Sequence, residues 1–386
     1  MSRVPVNPAL IQWARQRAHL AIDDLAGRFP KLAEWERGEG LPTLKQLESF
    51  AKAAHVPFGY LFLPEPPDLP MPISDFRTLN NRYVGSPSPA LLDTIHTMQR
   101  RQAWLRETRL ECEADPLTFV GSARLTDDPA DIGREMRRLL GLDDGWAATV
   151  RSWKDAIGAL RTAIEETGVL AVMNGVVGNN THRTLDVEEF RGFALCDDHA
   201  PLIFVNGADA KSAQMFTLAH ELAHLWLGAK GSGLSGFPGI FPDGNNIETF
   251  CDKAAAEFLV PAAELRECWP AVKREPAPFE TLARRFKVSP IVIGRRAMDL
   301  RLVDRERFFD FYEDYTRREY RQKQSTGGGG DFYNNQIARV GRLFAVQVIR
   351  AAKEGRIGFR YAYELTGLNG GAFQEYAQRL GVELPR

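Results

Sequence analysis

The chain lacks features that would place it in a membrane, outside the cell or on nucleic acid. No apolar run reaches about 18 residues, so we expect no membrane-spanning helix. The first residues lack the apolar core of a secretory signal, which favours a cytoplasmic protein. The formal net charge is only −1, so binding to DNA or to an acidic surface would need a local basic patch.

Cysteine is also scarce. The 4 cysteines are widely spaced and form no Cys-x-x-Cys pair, which argues against a disulfide framework and a thiolate zinc site. We expect them to be reduced and to act as small apolar residues. The composition is otherwise that of a globular protein, and 386 residues are enough for about two or three domains.

The most informative stretch is a run without proline or glycine that contains His-Glu-Leu-Ala-His. Its apolar residues recur at helical spacing, so His220 and His224 face the same side of one helix. Two imidazoles in this arrangement can bind one ion, and zinc is the expected choice. Glu221 can take a proton from a water held there. We expect Asn206 or Asp209 to cap the start of this helix.

A second helix, predicted to end at Pro261, supplies the carboxylates that such a site requires. Glu248 and Asp252 are four residues apart and share one face. We expect Glu248 to be the third metal ligand and Asp252 to hold a ligand histidine by its other ring nitrogen. Glu257, at a different angle on the helix, is the competing third ligand. Without a third ligand, the two histidines would merely hydrogen-bond to carbonyl groups inside a buried helix.

Residues 1–63 predict a compact helical unit. The run Trp-Glu-Arg-Gly-Glu at 35–39, followed by Pro42 and Thr43, resembles helix-turn-helix domains of the XRE repressor type. The chain before this run is short for a full recognition helix, and Pro30 interrupts it. Groove insertion needs exposed basic and amide groups, whereas this unit has only a weak basic balance. DNA binding is therefore left open, and a role in packing or partner recognition is favoured.

The middle of the chain predicts a linker, a connector and three strands. Five prolines in nine residues make 64–74 an extended spacer, and a helical connector follows over 75–150. The strands are predicted at 168–173, 190–196 and 201–206.

The fold class that follows is α+β: mainly helical, with a small three-stranded sheet packed on the two metal helices and helical units at both ends. The metal-binding domain is predicted over 151–304. The pattern over residues 305–386 predicts a C-terminal helical unit. Within it, four glycines at 327–330 predict a flexible joint, and the residues across 340–349 predict an apolar helix. An edge strand of the sheet could hold an extended peptide by backbone pairing.

The stretch 201–261 resembles the ImmA/IrrE family of metallopeptidases. The shared residues are the run 216–224, then Glu248, Asp252 and the run 255–261. The XRE-like unit ahead of this stretch and the glycine-rich tail are also similar to members of the family. The resemblance is specific in the metal core and touches most of the chain.

The resemblance implies a gluzincin-like zinc endopeptidase. Zn2+ would be bound by His220, His224 and Glu248, and Glu221 would be the general base. Asp252 would support one of the ligands. The family tends to have Asn where this chain has Asp252. The implied substrate is a regulatory protein such as a DNA-binding repressor, cleaved with narrow specificity in a stress, phage or mobile-element response. Other relatives look like antitoxin components. The alternative is therefore a regulator that binds a toxin or an operator and uses the peptidase fold as a scaffold.

One catalytic role has no assigned residue. Peptide hydrolysis benefits from a donor that stabilises the oxyanion, but no tyrosine lies between Tyr83 and Tyr312. The open candidates are His199, Arg295, Arg296 and a tyrosine of the tail.

Overall fold

A computed structural model describes residues 3–69, 87–228, 234–235, 246–322 and 332–382. The predicted glycine joint at 327–330 and the last part of the predicted linker lie outside the described residues. Within the described residues, no helix is both long and apolar enough to cross a membrane.

The chain divides into two compact units. The first comprises residues 1–74 and 82–97, and the second comprises residues 75–81 and 98–386. The division falls within the long helix α5 (Pro89–Glu111), between residues 97 and 98.

The first unit is a small helical bundle whose helix starts follow local sequence signals. Asn7 accepts a hydrogen bond from the N–H of Ala9, and Thr43 and Gln46 form a reciprocal capping box. Its core includes the buried side chains of Trp35 and Phe50. The elements are α1 (Pro8–Arg17), α2 (Ile22–Ala26), α3 (Leu32–Glu36), α4 (Leu44–Ala53), a 3₁₀ helix (Phe58–Phe62) and the first turns of α5 (Pro89–Glu111).

The resemblance of this unit to helix-turn-helix domains stays a prediction. Helices α2 and α3 have 5 residues each. Two of the five residues of α3 are acidic, and one of them, Glu36, is paired with Arg15 at 2.6 Å. This acidic character does not favour insertion of α3 into a DNA groove.

The second unit is built on a mixed sheet with the strand order β1-β5-β4-β6. β1 runs parallel to β5, whereas β4 runs antiparallel to both β5 and β6. The three predicted strands are present as β1, β4 and β5, and all their residues are buried. β2 and β3 form a separate antiparallel pair. The strands are β1 (Leu170–Asn174), β2 (Val176–Val177), β3 (Asn180–Thr184), β4 (Gly192–Leu195), β5 (Leu202–Asn206) and β6 (Leu234–Ser235).

Helices surround this sheet, so the fold is mainly helical with a small sheet, as predicted. The sheet is mixed, and β6 adds a fourth strand to the three that were predicted. α9 packs on β4 and β5, and α10 packs against both α9 and α6. The remaining helices are α6 (Pro129–Leu139), α7 (Trp146–Thr149), α8 (Trp153–Glu166), α9 (Lys211–Leu227), α10 (Asn246–Leu259), α11 (Ala262–Val272), α12 (Pro278–Phe286), α13 (Pro290–Asp299), α14 (Arg305–Gln322), α15 (Phe332–Val340), α16 (Arg342–Lys353), α17 (Phe359–Thr366) and α18 (Gly370–Arg379).

The prediction of an apolar helix across 340–349 was wrong only in its start, because the helix α16 begins at Arg342. Gly341 separates α15 from α16 and has a φ of +84°, a conformation that favours glycine. A Cβ at this position would lie 2.5 Å from Cδ1 of Leu170 in β1. Glycine therefore allows the chain to turn where it meets the sheet.

The predicted cap of α9 was also wrong. Ala210 occupies the cap position and makes no side-chain hydrogen bond there. Oδ1 of Asn206 instead accepts from the N–H of Ala208 at 3.0 Å, and Asp209 pairs with the buried Arg191 at 2.9 Å. The two candidates stabilise the loop between β5 and α9 rather than the helix itself.

Candidate metal centre

Helix α9 runs through the interior of the second unit. Every side chain from Gln214 to Leu227 is buried, which is typical of a core helix. The helix ends at Leu227, and the following residue, Gly228, has a φ of +71° and an N–H that bonds back to the carbonyl of His224. The polar residues on α9 are therefore enclosed by apolar packing rather than displayed on a solvated face.

Three side chains converge between α9 and α10. Nε2 of His220 lies 3.0 Å from Nε2 of His224 and 3.1 Å from Oε2 of Glu248. Nε2 of His224 lies 3.4 Å from Oε1 of Glu248. One ligand atom from each of the three residues lies within 4.8 Å of the others. The structure thus brings the two histidines of α9 together with the glutamate from the first turn of α10.

The spacing and chemistry of these atoms fit a metal ion. Zinc binds nitrogen and oxygen ligands at about 2.0–2.2 Å, which at a tetrahedral angle separates two ligand atoms by about 3.3–3.5 Å. The three separations between neighbouring ligand atoms, 3.0, 3.1 and 3.4 Å, are close to that range. Two imidazoles and one carboxylate are also the donor set of catalytic zinc sites with one open position.

Asp252 supports His220 from the second turn of α10. Its Oδ1 lies 2.9 Å from Nδ1 of His220. Because the carboxylate accepts, Nδ1 carries a proton and Nε2 is directed at the ligand cluster. Burial alone would lower the pKa of His220, but the hydrogen bonds to Asp252 and Glu248 outweigh burial and raise this pKa well above its usual value. The two carboxylates thus favour positive charge at the centre.

Glu221 is fully enclosed, and a glycine makes room for it. Its side chain has no exposed surface. A Cβ at Gly192 of β4 would lie 3.1 Å from Oε1 of Glu221 and 2.6 Å from Cγ2 of Thr217. Glycine therefore allows the backbone of β4 to lie directly beside the predicted general base. Sequence reasoning missed this residue, although a glycine inside an apolar strand signals close backbone approach.

The cluster is exposed on one side. The side chains of Glu248 and Asp252 are 34% and 29% exposed, whereas those of His220 and His224 are 6% and 1% exposed. The part of the centre that meets solvent is therefore the part contributed by α10.

The cysteines near the centre are thiols. All four cysteines are free, as expected from their spacing. Sγ of Cys196 lies 3.8 Å from the carbonyl oxygen of His224. Burial raises the pKa of Cys196 to about 12, and the nearby charge of Glu221 adds to this effect. Burial likewise raises the pKa of Cys251 well above its usual value. These thiols therefore stay protonated beside the cluster.

Glu257, the competing third ligand, has a different partner. It lies in the last turn of α10 and forms a buried ion pair with Arg296 of α13. Nε of Arg296 also donates to the carbonyl of Val260 at 3.1 Å. Arg295, another candidate oxyanion donor, pairs with Asp299 at 3.1 Å. Both arginines are thus engaged with carboxylates other than those of the cluster.

His199, a third candidate for the oxyanion role, lies in the loop between β4 and β5. Its backbone N–H donates to Oδ1 of Asp197 at 2.9 Å, and its carbonyl accepts from Arg109. Both contacts are made by the backbone of His199 and hold the loop in its conformation. They do not indicate a catalytic role for the imidazole. The oxyanion donor remains without an assigned residue.

Comparison with protein families gives a match to a peptidase family over the segment that contains the cluster. Residues 180–298 match the family model Peptidase_M78, the IrrE N-terminal-like domain. This match includes α9 and α10 with the whole cluster and covers less than half of the chain. It supports the ImmA/IrrE part of the resemblance and a metallopeptidase role for this segment.

A second match lies near the C-terminus. Residues 340–379 match a domain of unknown function, DUF8813, which contains α16 and α17 and reaches the end of α18. No curated protein and no solved structure matches the chain. The relation of residues 1–63 to XRE-type domains stays a prediction.

Proposed function

We propose that this protein is a zinc-dependent endopeptidase whose ligands are His220, His224 and Glu248. The observation that supports this proposal is the convergence of two imidazole nitrogens and one carboxylate at 3.0–3.4 Å, beside a buried glutamate on the same helix as the histidines. A bound zinc ion supplies Lewis-acid activation of water and of the scissile carbonyl. The match of residues 180–298 to a peptidase family agrees with this chemistry.

The residues around the cluster have separate tasks in the proposed reaction. Glu221 accepts a proton from the attacking water as the new C–O bond forms, and it passes that proton to the amine nitrogen as the C–N bond breaks. Enclosure of Glu221 keeps bulk water from exchanging this proton. Asp252 holds Nδ1–H of His220, so that Nε2 keeps its direction towards the ligand cluster.

The proposed substrate is a regulatory protein such as a DNA-binding repressor. A peptidase domain implies a protein substrate, and the repressor class rests on the resemblance to ImmA/IrrE metallopeptidases. The exposure of the cluster supports narrow specificity, because its two histidines are almost fully buried and α10 alone among the ligand-bearing helices meets solvent there. A substrate that fits is an extended or locally unfolded segment rather than a compact surface.

The proposal is tested by replacing the general base. Purified wild type should hold about one zinc per chain, and Glu221→Gln should retain the ion while losing cleavage. An extract of the producing cells, treated with wild type and then labelled at new N-termini, should show cleavage products that are missing after treatment with Glu221→Gln. Glu166→Gln removes the same charge at an exposed position at the end of α8 and should cleave normally.

Two outcomes oppose the proposal. Cleavage that survives Glu221→Gln shows that this residue is not the base. Stable binding of a toxin or an operator that is indifferent to Glu221→Gln, without any new termini, instead supports the alternative of a regulator that uses the peptidase fold as a scaffold.

A further inference from the structure

The last turn of α10 is held by charged groups from two neighbouring helices. Glu257 is buried and forms an ion pair with Arg296 of α13. Oε1 of Glu257 also lies 3.6 Å from Nη1 of Arg134 in α6. Arg296 reaches further and donates from Nε to the carbonyl of Val260, just beyond the end of α10. The carboxylate is therefore enclosed between two guanidinium groups that belong to different helices.

The backbone of α6 limits the movement of α10 in the same region. A Cβ at Gly133 would lie 2.6 Å from the carbonyl oxygen of Ala254 and 2.9 Å from Cβ of Glu257. Arg137, one turn further along α6, donates to the carbonyl of Phe258 at 3.0 Å. These contacts restrict how far α10 can slide along α6.

The metal ligand lies at the opposite end of the same helix. Glu248 is in the first turn of α10, nine positions before Glu257, which is about 13 Å along a helix axis. A shift of α10 by one residue would turn each side chain by about 100°. Because a short helix behaves as a rigid rod, the contacts at its last turn determine where the carboxylates of Glu248 and Asp252 point.

We propose that Arg296 and Glu257 are positioning residues for the metal centre. Their buried ion pair fixes α10 and thereby directs Glu248 and Asp252 at the histidines of α9. This inference rests on the proposed function in one respect, which is that the centre binds zinc. A positioning role differs from a merely structural role. A purely structural contact would change the stability of the protein without changing the geometry of the metal ligands.

The test compares Arg296→Gln and Glu257→Gln with a matched control. Arg101→Gln is the control, since Arg101 is a buried arginine that donates to the carbonyls of Leu365 and Arg339 in α17 and α15. Zinc affinity is measured by competition with a chelator, and ligand geometry by the visible absorption of the cobalt-substituted protein. We expect the two α10 variants to bind zinc about tenfold more weakly and to show an altered cobalt spectrum. Arg101→Gln should lower the thermal midpoint and leave both metal readouts unchanged.

A milder variant covers the case in which the glutamine variants do not fold. Arg296→Lys keeps the charge but loses the planar fork that contacts both Glu257 and Val260. It should fold and bind zinc with an affinity between those of wild type and Arg296→Gln. Zinc affinity and a cobalt spectrum equal to wild type in Arg296→Lys and in every folded glutamine variant would overturn the inference.

The failure of the proposed function gives a different result. If wild type itself binds neither zinc nor cobalt, the zinc proposal fails. Hydrogen exchange in the metal-free protein then tests positioning alone. Faster exchange in the first turns of α10 in Arg296→Lys than in wild type supports the inference, and unchanged exchange overturns it.

Discussion

Gly192 of β4 lies so close to Glu221 of α9 that a methyl group at position 192 would be 3.1 Å from Oε1 of Glu221. The same methyl group would lie 2.6 Å from Cγ2 of Thr217 and 2.8 Å from the carbonyl oxygen of Phe204. The sheet and the histidine helix therefore meet at a position that admits no side chain. The location of the proposed general base depends on this close approach.

Gly192→Ala should destabilise the protein, because the added methyl group has no space. Overpacking of this kind costs about 1–3 kcal/mol, which urea unfolding of the zinc-free protein can measure. Gly158→Ala is the matched control, since a Cβ at that position in α8 meets nothing within 4 Å. Alanine there should raise the unfolding free energy by up to about 1 kcal/mol, through helix propensity alone. Equal stability of Gly192→Ala and wild type would contradict the close packing.

Asp252 should tune zinc affinity through its hydrogen bond to Nδ1 of His220. Asp252→Ala removes the acceptor and is expected to weaken zinc binding about 10- to 100-fold. Asp252→Asn keeps an acceptor oxygen of the same reach and should bind zinc within a few-fold of wild type. Competition with a chromogenic chelator measures both variants. An alanine variant that binds as tightly as wild type would remove Asp252 from the centre.

Zinc should stabilise the folded chain, because the ligand cluster is assembled only on folding. At free zinc about 100 times the dissociation constant, the unfolding free energy should rise by about 2.7 kcal/mol over its value in a chelator. His220→Ala should abolish this difference. His182→Ala, which removes an exposed histidine of β3, should preserve it. A zinc effect of equal size in His220→Ala would place the binding site elsewhere.

Glu165 provides a pH-dependent contribution that is separate from the metal centre. It lies in the last turn of α8, is buried, and accepts hydrogen bonds from the N–H groups of Arg342 and Leu343 at the start of α16. Burial raises the pKa of Glu165 to about 7, against the opposing charge of Arg161. Arg342, Arg101 and Tyr376 share the same surroundings.

The raised pKa of Glu165 makes the folded protein less stable as the pH rises. The folded state binds the proton of Glu165 more tightly than the unfolded chain, whose value is 4.5. The stability contributed by this carboxyl group is present in full below that value and is lost as the pH rises through about 7. Glu165→Gln removes the titration, so its unfolding free energy relative to wild type should increase by about 2–3 kcal/mol between pH 5 and pH 8. A difference that is constant with pH would show that Glu165 is not perturbed.

Local patterns were sufficient to predict α9, the end of α10 and the three central strands. Helical spacing, the missing glycine and proline in α9, and the stop at Pro261 are all read within a few residues. The shared face of His220 and His224, and that of Glu248 and Asp252, were also expected from spacing, because i and i+4 positions lie on one side of a helix. The pair β2 and β3 was not expected, since the residues of β3 are polar and mostly exposed.

Contacts between distant segments could not be predicted in the same way. Glu257 is an acidic residue on α10, the helix that also carries Glu248. Only the fold shows that its carboxylate forms an ion pair with Arg296, 39 residues later in the sequence. Gly341 lies in an apolar run that reads as helix, and the break depends on its packing against Leu170 of β1. Glu257 could be a metal ligand or an ion-pair partner, and Gly341 could lie within a helix or between two helices. In both cases the residue that decides between the two roles is distant in the sequence.

The uneven exposure of the centre has a consequence for how the proposed zinc ion would enter and leave. In the part of the chain that the structure describes, α9 has no exposed side chain from Gln214 to Leu227, whereas Glu248 and Asp252 of α10 are partly exposed. If the centre binds zinc as proposed, then zinc, chelators and a peptide would reach His220 and His224 past the first turns of α10. The rates of metal loading and loss would then depend on α10, although two of the three proposed ligand residues, His220 and His224, belong to α9. A partner protein that held the start of α10 in place would slow the release of the ion without changing any of the metal ligands.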